Sequence, residues 1–200
     1  MKTLGLSLLA MSLLAFGTAR GAAAEQAAPQ SVDKTPPSYD MKAQSLYDLE
    51  DMQKKFVSLA QAIPADKFTW RPGEGVRSFS EAFLHVANMN FQMPAMIGAT
   101  PAPGYKKDGY EKSSTDKDKI IEQLSQSFEY VRAYVNSMTN ADFARPEKQF
   151  GPDANAGDIV YLIVTDDHEH LGQTVAYARV NGIVPPWTAE RLKKQAKSGQ

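Results

Sequence analysis

Four stretches of this 200-residue chain return large apolar residues at spacings of three and four. That periodicity constrains the fold more than any other feature, because it buries one face of a helix and leaves no alternation to build a half-buried strand. The first runs from about Lys42 to Ile63 through Leu46, Leu49, Met52, Phe56, Leu59 and Ala60, and Pro64 ends it. The second opens on Ser78-Phe79-Ser80-Glu81, where a Ser hydroxyl and a Glu carboxylate can satisfy each other's end N–H groups, and continues toward Ile97 with Pro94 in its last turns. The third begins near Thr115 or Asp116 and stops near Met138, with Ile120, Leu124, Phe128, Val131 and Val135 as its stripe. The fourth, about Gly157 to Val180, holds Ile159, Val160, Leu162, Ile163, Val164, Leu171, Val175 and Ala178, and Gly182, Pro185 and Pro186 stop it. The Pro- and Gly-bearing link from Thr100 to about Ser114 is long for a tight hairpin and suits a crossover between the second and third helices. The expected class is all-α, a four-helix bundle over residues 41–188, with 189–200 as a polar C-terminal tail.

The amino terminus is read separately. Lys2 precedes an apolar run from Leu4 to Phe16 that closes on Ala22-Ala23-Ala24, the charged, apolar and small-residue layout of a secretory signal cleaved after Ala24. The run is too short for the roughly 20 apolar residues of a membrane span. Residues 1–24 are therefore expected to be a signal peptide and 25–40 a flexible leader, which places the mature protein in the periplasm or outside the cell with no stable membrane insertion. Cleavage removes Lys2 and Arg20 but no acid, so the formal charge moves from −1 to −3. Neither value provides the basic footprint that nucleic-acid backbones demand, and nucleic acid is not an expected partner. A small-molecule ligand and a homodimer are the partners left open.

The chain contains no cysteine and three histidines. Thiolate ligands and cysteine nucleophiles of the chain's own are therefore excluded, and any metal has to be held by His, Asp and Glu. On the fourth helix, Asp166-Asp167-His168-Glu169-His170 interrupts an apolar stripe, and Asp166 and His170, four apart, share a face. Gln173 and Tyr177 continue that face. Burying a carboxylate and an imidazole side by side among aliphatic residues costs several kcal/mol unless a cation compensates. The third ligand candidate is His85, mid-way along the second helix, with Glu81 four residues earlier as an acceptor that could orient it. Gln173 is the candidate for a hydrogen bond to a ligand or bound water. His168 is the rival to Asp166, but two residues from His170 it points about 200° around the helix. Trp70 and Trp187 are read as packing residues at the bundle ends, and Lys117 to Lys119 and Lys193 to Lys197 as solvated charges.

Glu81-Ala82-Phe83-Leu84-His85-Val86-Ala87, His168-Glu169-His170-Leu171-Gly172-Gln173 and Tyr177-Ala178-Arg179-Val180-Asn181-Gly182-Ile183-Val184-Pro185-Pro186 together resemble the DinB superfamily of bacterial metal-binding four-helix bundles, over nearly all of residues 45–187. The resemblance implies one divalent metal held by one histidine of the second helix and two positions four apart on the last. His85 and His170 match two of the three family histidines, while the middle position is Asp166. The implied set is two imidazoles and a carboxylate with coordination positions left open, suited to Zn²⁺, Ni²⁺ or Fe²⁺ rather than Ca²⁺. The family's activities, metal-dependent thiol transfer and a thiol-dependent isomerisation, make a metal-dependent hydrolase or thiol-dependent transferase the enzyme expectation. The alternative is a module that binds metal, or a small molecule through metal, without turnover.

Overall fold

The computed structural model describes residues 40–198; the expected signal peptide and nearly all of the expected leader lie outside them. Among the described residues there are six α-helices: α1 (Met41–Ala62), α2 (Phe79–Met96), α3 (Lys117–Ser137), α4 (Asn140–Phe143), α5 (Ala156–Val180) and α6 (Pro186–Ser198). Among the described residues there is no strand, only an isolated bridge between Pro146 and Asn155. The four periodic stretches are α1, α2, α3 and α5, and the protein is an all-helical bundle. No helix among the described residues is long and apolar enough to cross a membrane.

Local chemistry sets the boundaries. Asp40, Asp116 and Asn155 cap α1, α3 and α5 by accepting from backbone N–H groups three residues on. Ser78 and Glu81 form the expected reciprocal box at the start of α2. The differences are at the C-terminal end. Pro186, read as a stop signal, is the first residue of α6, because proline is well suited to the first helical turn, where its missing N–H has no partner to lose. The segment read as a tail is thus helical as far as Ser198, although no residue of α6 is buried. The short α4 was not legible: one turn held by a Thr139–Asp142 capping box leaves no periodicity to read.

Lysines fix helix direction. Lys42 at the start of α1 donates to the carbonyls of Asn136 and Met138 at the end of α3, both at 2.7 Å. Lys117 at the start of α3 donates to Gln61 and Ile63 at the end of α1, at 2.7 and 2.8 Å. Each cation meets the negative end of the other helix, so α1 and α3 run antiparallel, and Lys117 is a cap rather than the solvated charge its sequence context suggests. Between α2 and α3 the contacts progress in the same direction, Asn90 to Ser127 at 3.4 Å and then Ile97 to Tyr134 at 2.6 Å. These two helices are parallel, which is why a crossover joins them. Helix α5 packs against α1 and α2.

The core is aromatic at its centre. Phe83 of α2 lies 6.3 Å from Phe56, 6.0 Å from Phe68 and 6.2 Å from Phe79 between ring centroids, and Phe56 lies 5.8 Å from Phe128. Trp70 packs on Phe79 and Tyr177 and closes this end of the bundle. The crossover is anchored too. Tyr105 donates to Asn88 Oδ1 at 2.7 Å, and Gly109, at φ 72°, makes a left-handed turn that L side chains resist, delivering a short 3₁₀ turn, Tyr110–Lys112, onto α2. That turn carries the residue that completes the site.

Candidate metal centre

His85 of α2 and Asp166 and His170 of α5 converge, with one candidate ligand atom from each lying within 4.8 Å of the others. The two imidazoles meet edge to face at 4.4 Å between centroids, and His170 Nε2 stands 3.6 Å from Asp166 Oδ1. That spacing is long for a hydrogen bond but close to the roughly 3.4 Å that separates two ligand atoms each about 2.1 Å from a tetrahedral metal. Asp166 Oδ2 is buried with no partner. Burial raises the Asp166 carboxyl above its ordinary range, against the opposing pull of His170 and His85.

Hydrogen bonds leave the same nitrogen available on both rings. His85 Nδ1 meets Glu111 Oε1 at 2.6 Å, and His170 Nδ1 meets Gln173 Oε1 at 2.8 Å. Each Nδ1–H donates to its oxygen, which fixes the tautomer and directs the Nε2 lone pair into the site. Gln173 in turn donates to Tyr177 Oη at 2.9 Å, so the face that the sequence groups together is one hydrogen-bonded chain, with Gln173 serving His170. Two imidazole Nε2 atoms and an unpartnered buried carboxylate oxygen form a set of donors without protons, and these residues fit a divalent cation.

Glu81 is not the acceptor for His85. Its carboxylate takes the Ser78 N–H at 2.8 Å and pairs with Arg71 at 3.1 Å, because an acid three residues past a helix cap is drawn back to the helix end. Glu111 of the crossover has that role. Sequence reading misses it because the contact spans 26 residues, and only the acid beside Gly109 in a long link hints at it. Arg77 grips Glu111 from the other side at 2.8 Å. Burial pushes the Glu111 carboxyl up, but hydrogen bonds from Arg77 and His85 outweigh it and hold the group below the usual carboxylate range. Glu111→Ala should weaken divalent-metal affinity by about 10- to 100-fold, the usual cost of losing such an outer partner, read by competition with a chromogenic chelator.

Hydrogen bonds from the Ser78 backbone, and then Arg71, hold Glu81 below its ordinary pKa despite partial burial. Its stabilising contribution is therefore present above the unfolded value near 4.3 and is lost as pH falls through the folded one. Glu81→Ala should cost about 1 kcal/mol at pH 7 and progressively less in acid, with metal affinity unchanged. Urea unfolding of parent and variant at pH 7 and in acid checks this.

Asp167 faces inward with 1% exposure and neither oxygen partnered, and burial, then the Asp166 charge, holds its carboxyl well above the ordinary range. His168 is exposed and outside the cluster.

The DinB superfamily matches residues 48–174. Among solved structures, a DinB-like protein from Bacillus cereus ATCC 10987 is 14% identical with a TM-score of 0.60, over 73% of this chain and 93% of that one. A conserved protein from Enterococcus faecalis is 12% identical with a TM-score of 0.56, over 71% and 97%. No curated protein matches. Likeness at such identities speaks for the fold, and the family match spans more than half of the sequence: the chain belongs to the DinB superfamily.

Proposed function

We propose that the chain is an exported metalloprotein that holds one divalent ion, Zn²⁺, Ni²⁺ or Fe²⁺, through His85, Asp166 and His170, and uses it in hydrolysis or thiol-dependent transfer on a small molecule. The observation that carries the reading is the buried, unpartnered Asp166 oxygen beside two imidazoles whose Nδ1 atoms are both engaged. When bound, the ion supplies Lewis acidity and lowers the pKa of a water or thiol at neutral pH, a nucleophile that a chain without cysteine does not provide itself. Glu111 and Gln173 hold the two rings in place, and Arg77 keeps Glu111 ionised at the rim. Among the described residues the cluster has three members, fewer than the four ligands of a closed structural site. An open cavity of about 410 Å³ is lined by Asn88, Lys107, Tyr110 and Glu111, the last being the residue that bonds His85, and its volume suits a small molecule.

That cavity is not lined by His85, Asp166 or His170, and this favours a second reading, a module that binds a small molecule beside a metal without turnover. Cobalt-substituted protein separates them. In the catalytic reading a simple thiol or azide changes the visible cobalt spectrum and a thiol-transfer or ester-hydrolysis activity disappears in Asp166→Ala. An unchanged spectrum rules the catalytic reading out. Export has its own test: the mature protein should lack residues 1–24 by intact mass, and full-length chain in a soluble periplasmic or extracellular fraction contradicts it.

A further inference from the structure

Helix α5 has 25 residues, about 37 Å of helix, and turns one face to α1 and α2. Its opposite face is exposed. Leu162, which the periodicity counts within the buried stripe, is 46% exposed, and Tyr161 and Val180 are 59% and 75% exposed. Along this outer face Leu162, Thr165, Glu169, Gly172 and Ala176 recur at spacings of three and four, the repeat by which one helix packs on another. Gly172 has no atom within 4 Å of where a Cβ would stand, so a second backbone has room to approach.

The charges on this face single out its occupant. Asp158 lies at its N-terminal end and Arg179 at its C-terminal end, both exposed. A second copy of α5 laid antiparallel, with a two-fold axis passing between residues 168 and 169, brings each Asp158 to the partner copy's arginine at position 179. The same register sets Thr165 against glycine 172 of the other copy and His168 against its glutamate 169. One register thus satisfies both ends, the small residue and the centre, which is the self-complementarity that an isologous contact requires. Antiparallel helix dipoles add to it. Parallel packing would instead stack like charges at both ends.

We propose that two copies of this chain associate through the outer face of α5, antiparallel and centred on His168 and Glu169. His168, which the metal cluster does not use, then has a place in the contact, and each metal centre remains complete within its own chain.

Because the chain has no cysteine, single introduced thiols report the register cleanly. Light scattering of the full chain at about 100 μM should give the mass of a dimer. Gly172→Lys should give a monomer with unchanged helical circular dichroism, since lysine is a better helix former than glycine. Under mild oxidation Glu169→Cys should form a disulfide-linked dimer, its two copies lying within bridging distance across the axis. Leu162→Cys, about 20 Å from its own copy in this register, should not. A chain that is monomeric at that concentration overturns the proposal and leaves the face to a partner of another kind. A dimer that survives Gly172→Lys, or equal cross-linking at the two cysteine positions, also overturns it.

Discussion

His85→Ala and His170→Ala each abolish tight divalent-metal binding, Asp166→Ala weakens it strongly, and His168→Ala leaves it nearly unchanged. The first two losses should exceed the 10- to 100-fold cost of removing an outer partner, because each takes away one of three ligand atoms. No neighbour can replace either ring, since the three histidines of the chain are His85, His168 and His170, and His168 is exposed and outside the cluster. Asp166→Ala is milder because water can occupy a vacated oxygen position. Titration of each metal-free variant with zinc against a competing chelator checks the series. Loss of metal in His168→Ala with retention in Asp166→Ala would reverse the ligand assignment on α5.

Phe83→Ala should destabilise the protein by about 3–5 kcal/mol. The side chain is fully buried and its ring meets Phe56, Phe68 and Phe79, joining α1, α2 and the loop between them. Three aromatic neighbours held by separate backbone segments cannot all collapse into the space left behind, so most of the cavity persists. For a domain near 150 residues each kcal/mol lowers Tm by roughly 2–4 °C, and the variant should melt about 6–20 °C below the parent. Two residues from His85 on the same helix, it should also loosen the metal centre. Thermal melts with and without zinc measure both effects, and a shift under about 3 °C would mean that the aromatic cluster is not the mechanical centre of the bundle.

The bundle was legible because its information is local and repetitive. The three-and-four spacing of Leu49, Met52, Phe56 and Leu59 reports a buried face whatever packs on it, and the Ser78–Glu81 box marks a helix start within four residues. The pair Asp166 and His170 was legible for the same reason, being two polar groups on one face of an apolar helix. Glu111 was not, since its value depends on a crossover whose path is set by Gly109 and by Tyr105 bonding to Asn88. Glu81 misled by proximity: four residues before His85 it shares a face, but the nearer helix end claims its carboxylate. Leu162 misled because counting apolar residues does not separate the two faces of a helix that is apolar over most of its girth. Asp167 was given no role by the sequence; about 100° around the helix from Asp166, it turns to the core while Asp166 faces the two histidines.

The measurement that bears most directly on this account is metal content and metal-edge X-ray absorption on protein purified without a His tag. One divalent ion per chain is predicted, with two imidazole ligands, at least one oxygen ligand near 2.0–2.2 Å and no sulfur. Protein that takes up no zinc, nickel or iron and gains no thermal stability from them, or an ion whose imidazole signal persists in the His85→Ala, His170→Ala double variant, would contradict it.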